Sequence, residues 1–345
     1  MIAFVTGYPG FLGRNLVSKL IESNKFEKII VLIEKRLENY VLRLKESKEI
    51  EILKGDITEE NLGLNYDFKK VTHLFHLAAL YDLSAKKEPS YRINVLGTKN
   101  VMEFAKRNKI ERIIYVSTAY VSGKREGPIY EEELDMGQGF KNYYEETKFL
   151  AEKLVREEYK DLNVTVIRPG IVVGNSKNGE TLKFDGPYFV MEALLRFPKW
   201  LPLPYIGEGK AHVNIVPVDY VIDGIFKIAL SDRTVGKTYH LTDPEPKIAR
   251  ELYFLFNKLL GRVNPRGKIS PETFKILLKF PPLSHCIPDE VLPYFECDAI
   301  YICQNSILDI GWEVPEIYEY APNIVNFFVK NRKKIKTGPF KPDGK

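Results

Sequence analysis

The chain has 345 residues, 44% of them apolar, and a formal net charge of +5, so a globular fold with one large domain, or a large domain and a smaller lobe, is expected. Between Lys330 and Lys345 seven Lys/Arg face a single Asp343; that tail contributes +6 and leaves −1 for the rest, which argues against a nucleic-acid partner. No run of about 18 apolar residues and no charged start followed by an apolar stretch and a small-residue cleavage site occur, so neither a membrane span nor a signal peptide is expected and the cytoplasm is the predicted location.

Along the first half, short apolar runs alternate with stretches of helical period. Ile2 to Val5, Ile29 to Ile33, Ile50 to Leu53, Val71 to Leu77, Ile113 to Val116 and Val164 to Ile167 read as buried strands. Between them the stripes Leu12/Leu16/Leu20, Val95/Val101/Phe104/Ala105 and Ala151/Leu154/Val155 read as amphipathic helices. The alternation predicts an α/β fold, a doubly wound parallel sheet of Rossmann type over residues 1–170.

The first strand runs into Gly7-Tyr8-Pro9-Gly10-Phe11-Leu12-Gly13 and then a helix. In such a turn Thr6 and Gly7 end the strand tightly, Gly10 with Phe11 and Leu12 lets amides approach a pyrophosphate, and Gly13 lets the helix pack closely. A dinucleotide, NAD(P), is therefore expected. Glu34 closes the second strand, where an acid binds the adenosine ribose and repels a 2′-phosphate; Lys35 and Arg36 follow and offer the opposite preference. The strand-end position of the acid favours NAD(H) over NADP(H). Asp56 and Ile57 after the third strand are expected near the adenine, and Ala78 and Ala79 after the fourth leave room for the cofactor. Asn94, inside the next helix, is assigned to the cofactor side, supporting a water or proton relay, with a packing amide as the alternative.

Val116-Ser117-Thr118 ends the fifth strand where ligands bind in open α/β sheets, so the Thr118 hydroxyl is a candidate to bind the substrate oxygen. Tyr-x-x-x-Lys occurs three times, at Tyr66/Lys70, Tyr120/Lys124 and Tyr144/Lys148. Only Tyr144 and Lys148 open a long amphipathic helix, which places phenol and ammonium on one face. The ammonium is expected to lower the Tyr144 pKa for proton transfer, and Lys148 also to reach the nicotinamide ribose. Pro169, Gly170 and Ile171 turn the chain where the nicotinamide would lie.

Beyond residue 170 Pro and Gly clusters interrupt the pattern, which predicts a smaller, irregular substrate lobe over 171–330 and a basic tail over 331–345. Segments His212 to Val218 and Thr238 to Leu241 are expected to return to the first domain. Phe184, Tyr188, Phe189 and Phe280 to Leu283 are candidate apolar walls for the substrate. Cys286, Cys297 and Cys303 match no Cys-x-x-Cys spacing; they are read as core residues, despite His285 beside Cys286, with no disulfide or metal site.

Together these motifs resemble the extended short-chain dehydrogenase/reductase superfamily over nearly the whole chain. Gly10 to Arg14, Val116 to Val121, Tyr144 to Ala151, Lys183-Phe184-Asp185-Gly186-Pro187-Tyr188 and Val213 to Asp219 look like the branch of fatty acyl-CoA reductases and thioester-reductase domains. The resemblance implies Thr118, Tyr144 and Lys148 as catalytic trio, an oxidoreductase acting between a carbonyl or acyl thioester and an alcohol or aldehyde, a small apolar substrate and a homodimer. Where many thioester reductases carry an arginine for NADPH, this chain has Glu34. A nucleotide-sugar epimerase and a non-enzymatic dinucleotide-binding scaffold are the alternatives; Ala119-Tyr120 after Thr118 disfavours the dehydratases, which place Asp-Glu there.

Overall fold

Every second residue of the buried strands packs on the opposite side of the sheet, which explains why the apolar runs are continuous rather than alternating. Ala3 and Val5 join one core while Phe4 joins the other; Ile29, Val31 and Ile33 divide from Ile30 and Leu32 in the same way. The computed structural model describes all residues except 66, 67, 69, 285, 286 and 336–345. Tyr66 of the first Tyr/Lys pair, the His285/Cys286 neighbours and most of the basic tail thus lie outside the described residues.

The elements that position the site are, in chain order, β1 (Ile2–Thr6), α1 (Phe11–Ser23), β2 (Lys28–Ile33), β3 (Glu51–Lys54) and β4 (His73–His76). Next comes α2, a helix over 87–107 whose turn Arg92–Leu96 is π-helical. β5 (Arg112–Val116), α3 (Tyr143–Glu158), β6 (Val164–Pro169), α4 (Pro187–Leu195), α5 (Val218–Ala229) and β7 (Thr238–Leu241) follow. α6 (Ala249–Leu259), α7 (Pro271–Leu277), α8 (Gln304–Ile310) and α9 (Ile317–Asn331) complete the set.

The central sheet has seven parallel strands in the order β7-β6-β5-β4-β1-β2-β3. The order reverses between β1 and β4, and the crevice at their carboxyl ends is where ligands bind in such sheets. α1 and α5 cover one face, and α2 and α3 the other.

The expected return of the chain is met in part. Thr238–Leu241 becomes the edge strand β7 beside β6. His212 to Val218 does not reach the central sheet: His212–Val213 pairs antiparallel with Lys247–Ile248, and Ile215–Pro217 pairs parallel with Ile171–Val173. A further return has no counterpart in the sequence reading, because Cys303 and Trp312, flanking α8, bury into the first core. The second lobe packs α4, α6 and α9 around Phe184, Tyr188 and Phe328, and a neighbouring cluster joins Phe189 to Phe274, Leu278 and Leu283.

Candidate active site

The turn after β1 is shaped by contacts that only glycine allows. Gly7 has φ +87°, and a Cβ there would stand 2.6 Å from the Ala78 amide nitrogen; at Gly13 it would stand 2.5 Å from the Gly7 carbonyl oxygen. Helix, turn and the β4 loop are therefore in backbone contact. No side chain caps α1, so its first-turn amides are left for an anion. Thr6 fixes the turn from below: its hydroxyl meets His76 Nδ1 at 2.8 Å and accepts the Ala78 N–H at 3.3 Å. Burial, and then the Lys148 charge, push His76 down to about 3, so it is neutral.

One cavity of about 1330 Å³ starts at this turn. Thr6, Gly7, Gly10, Phe11, Leu12 and Gly13 form its wall, followed by Glu34, Arg36, Asp56, Ile57, Ala78 and Ala79. The cradle fits a dinucleotide, with the glycine turn at the pyrophosphate and the ends of β2 and β3 at the adenosine. At that end Arg36 Nε donates to Glu34 at 2.5 Å, while Lys35, expected at the cofactor, is exposed in the short turn Lys35–Leu37 and is not part of the cavity wall. Asp56 accepts the Thr58 N–H at 2.8 Å, which shapes the loop after β3.

Further along the same cavity Thr118, Tyr144, Lys148, Pro169, Gly170 and Ile171 come together. Thr118 is held by the Tyr120 N–H, which donates to its hydroxyl at 3.3 Å. Tyr144 sits in the first turn of α3, whose cap Asn142 accepts the Glu145 N–H at 3.0 Å. Lys148, one turn later, donates to the Val116 carbonyl at 2.8 Å and lies over the Tyr115 ring at 4.6 Å. The expected electrostatics are reversed. Burial raises the Tyr144 phenol, against a lowering hydrogen bond from Thr118, and Glu145 and Asp185 raise it further. Lys148 is itself pushed down by burial to about 7, with Glu152 opposing the shift. An amine whose own charge burial disfavours, directed at a carbonyl, does not turn an enclosed phenol into a phenolate.

Asn94 is not in the cavity wall. The π-helical turn of α2 aims it elsewhere: its Oδ1 accepts the Leu80 N–H at 2.7 Å and its Nδ2 donates to Thr147 at 2.9 Å. Its amide is engaged in joining the β4 loop to α3 next to Lys148. Behind α3, buried Glu152 accepts Arg168 at 2.7 and 3.1 Å and Arg156 at 2.8 Å. Arg168 also donates to the Glu133 carbonyl at 2.7 Å, so the charge network fastens α3 to the strand that ends at Pro169.

The remaining wall contains residues to which the sequence reading gave no role. Tyr81 meets the Tyr144 ring edge-on at 5.0 Å, and Tyr120 meets Tyr294 at 5.1 Å. Tyr294 comes from the irregular lobe, where no periodicity marks it; Asn142 donates to its hydroxyl at 3.0 Å. Lys183 and Asp185 line the cavity as well. Beyond Tyr144 Val190, Leu194, Leu203, Leu252, Phe274 and Leu283 give the wall a large apolar share, with Phe280 to Pro282 at hand, and Tyr205, Arg250 and Tyr253 line it too. Phe184, Tyr188 and Phe189, expected in this wall, are instead core residues packed among α4, α9 and α7.

Among the described residues no helix is long and apolar enough to cross a membrane. A family model described as male sterility protein, an NAD-binding domain, matches residues 5–225. The fatty acyl-CoA reductase wat of Drosophila melanogaster is 26% identical over 275 residues, covering 66% of this chain and 53% of that protein. The chain thus spans about half of that relative's length. The terminal R domain from the myxalamid PKS-NRPS biosynthetic pathway superposes with a TM-score of 0.78 at 24% identity, covering 98% of this chain and 92% of that one. UDP-glucuronic acid 4-epimerase from Bacillus cereus, in complex with NAD, gives 0.71 at 17% identity over 96% and 98%. At these identities both likenesses speak for the fold. With a matched model spanning more than half of its length, the chain belongs to the male sterility protein family of NAD-binding domains, on the fatty acyl-CoA reductase and thioester-reductase branch of the extended short-chain dehydrogenases/reductases.

Proposed function

We propose that the protein is an NAD(P)H-dependent reductase of acyl thioesters with an apolar acyl chain, giving the aldehyde and, by a second reduction, the alcohol. The observation that carries this reading is the continuity of the cavity: glycine turn, Tyr144 with Thr118, and an apolar pocket form one space. A dinucleotide bound along the turn supplies the hydride. Thr118 and Tyr144 hold the substrate oxygen. A phenol raised by burial remains protonated at neutral pH, so Tyr144 enters the reaction as the acid, which suits reduction. Lys148 orients the nicotinamide ribose, and Glu34 selects NAD(H). Val190, Leu194, Leu203 and Phe274 exclude water from the reacting carbon and receive the chain.

The test is cofactor oxidation, followed by absorbance, with NADH and NADPH against acyl-CoA thioesters, aldehydes and ketones of increasing chain length. Turnover that rises with chain length supports the reading. Turnover of none of them, together with thermal stabilisation by UDP- or GDP-sugars and not by acyl-CoA, would replace it by the epimerase assignment.

A further inference from the structure

We infer that Lys183, held by Asp185, is a catalytic residue that neutralises and protonates the thiolate leaving group. The inference rests on the thioester reading above and adds to it the half-reaction that distinguishes a thioester from an aldehyde.

The segment before α4 alternates. Phe184 points into the core at 1% exposure, whereas Lys183 and Asp185 on either side line the cavity. Gly186 then turns with φ +53° beside Ile171, which brings the pair against the catalytic end. Lys183 Nζ and Asp185 Oδ2 are 2.5 Å apart, with side-chain exposures of 16% and 7%. The same ammonium stands 4.0 Å from the centre of the Tyr81 ring. Tyr81 in turn meets Tyr144 edge-on at 5.0 Å, and Asp185 helps hold its phenol protonated. A cation is thus placed one aromatic ring away from the phenol that protonates the substrate oxygen.

An ion pair in a largely apolar wall is costly to desolvate, and a purely structural clamp is served as well by apolar packing. An ammonium has three donors, and Asp185 with the Tyr81 face does not exhaust them. Chemistry gives the pair a use. Hydride addition to a thioester, with the Tyr144 proton going to oxygen, yields a hemithioacetal. In its collapse the hydroxyl returns its proton to the Tyr144 phenolate, the carbonyl re-forms and the carbon–sulfur bond breaks with its electron pair leaving on sulfur. Lys183 passes a proton to that sulfur and is re-protonated from solvent. The sum is thioester, reduced nicotinamide dinucleotide and one proton giving aldehyde, thiol and oxidised dinucleotide. Oxygen and sulfur share one carbon, so a thioester held by Thr118 and Tyr144 keeps its sulfur in the cavity that Lys183 lines. Reduction of an aldehyde has no leaving group and does not call on this residue.

The experiment compares Lys183→Met and Lys183→Gln with the unaltered full chain on dodecanoyl-CoA, on the dodecanoyl ester of thiophenol and on dodecanal, with the same dinucleotide. Fluorescence titration of the reduced cofactor reports whether each variant retains its fold; Asp185→Asn, which keeps the lysine but loosens it, serves where neither does. The expected result is a fall of about 10²-fold in the ratio of CoA-thioester to aldehyde turnover, largely recovered with the thiophenol ester because its thiolate leaves unaided. Asp185→Asn gives a smaller fall of the same kind. Equal losses on all three substrates, or an unchanged ratio, would overturn the role of Lys183 while leaving the thioester reading intact. An unaltered protein that reduces dodecanal but neither thioester would overturn both.

Discussion

Glu152→Gln tests how the fold holds the proton-transfer group. Tyr144, Lys148 and Glu152 follow at four-residue intervals on α3 and share one face. Desolvation pushes the Glu152 carboxyl up, but Arg168 and Arg156 more than reverse it and leave it at about 2. Glutamine keeps the size and one acceptor, yet removes the carboxylate that directly pairs with the fully buried Arg168 and its neighbour Arg156. Removing one partner of such a pair costs about 3–5 kcal/mol, to be read as a lower urea midpoint at unchanged slope. The same substitution removes the one charge that opposes the burial shift of Lys148. The midpoint for loss of the Lys148 proton therefore moves lower still, and the pH dependence of reduced-cofactor binding, followed by fluorescence, moves with it to lower pH. A stability loss below about 1 kcal/mol with an unmoved pH midpoint would refute both the burial of an uncompensated charge and the Glu152–Lys148 coupling.

Three further outcomes follow. Gly7→Ala forces a side chain onto φ +87° and to 2.6 Å from the Ala78 nitrogen; strain of about 1–3 kcal/mol is expected to weaken dinucleotide binding roughly 5- to 150-fold, and a dissociation constant within about twofold of the parent value would contradict the cradle. Glu34→Ser removes a charge-assisted partner of the ribose and is expected to lower the NADH over NADPH preference by about 10- to 100-fold, measured as a ratio of kcat/KM; an unchanged ratio assigns selection to another residue. His76 and His240 are both held neutral by burial, each depressed to about 3, so the unfolded chain binds protons at pH 6.5 that the folded chain refuses. The stability they contribute is present above that pH and falls as pH drops towards the folded values, with a slope of up to about 1.4 kcal/mol per pH unit for each. Urea midpoints at pH 7.5, 6 and 5 check this, and a flat series would contradict it.

What was legible in the sequence is what local physics encodes. Strands covered on both faces read as continuous apolar runs, and the glycine turn announces itself because no other residue survives contacts of 2.5 to 2.8 Å at Gly7, Gly10 and Gly13. Helical spacing singled out Tyr144 and Lys148 among three identical spacings. Less legible was anything set by the third dimension. The sign of the Tyr144 shift depends on enclosure, which composition does not reveal. Asn94 was placed by its helix, but the π-helical turn that aims it at Leu80 and Thr147 leaves no mark in the residue pattern. Tyr81, Tyr294 and the Lys183–Asp185 pair reach the site from loops and an irregular lobe whose course no periodicity fixes. Phe184 and Phe189 were apolar in a lobe that needed both walls and core, and burial alone decided between them.

The central claim is that one cavity brings a hydride and the Tyr144 proton to the same thioester carbonyl. The direct measurement uses reduced dinucleotide deuterated at nicotinamide C4, a long-chain acyl-CoA, and mass spectrometry of the aldehyde and alcohol, with Tyr144→Phe alongside. Deuterium at C1 of the product, and a loss of about 10²- to 10⁴-fold in Tyr144→Phe with cofactor binding retained, is the predicted result. Product without deuterium at C1, or turnover that survives loss of the phenol, would contradict it.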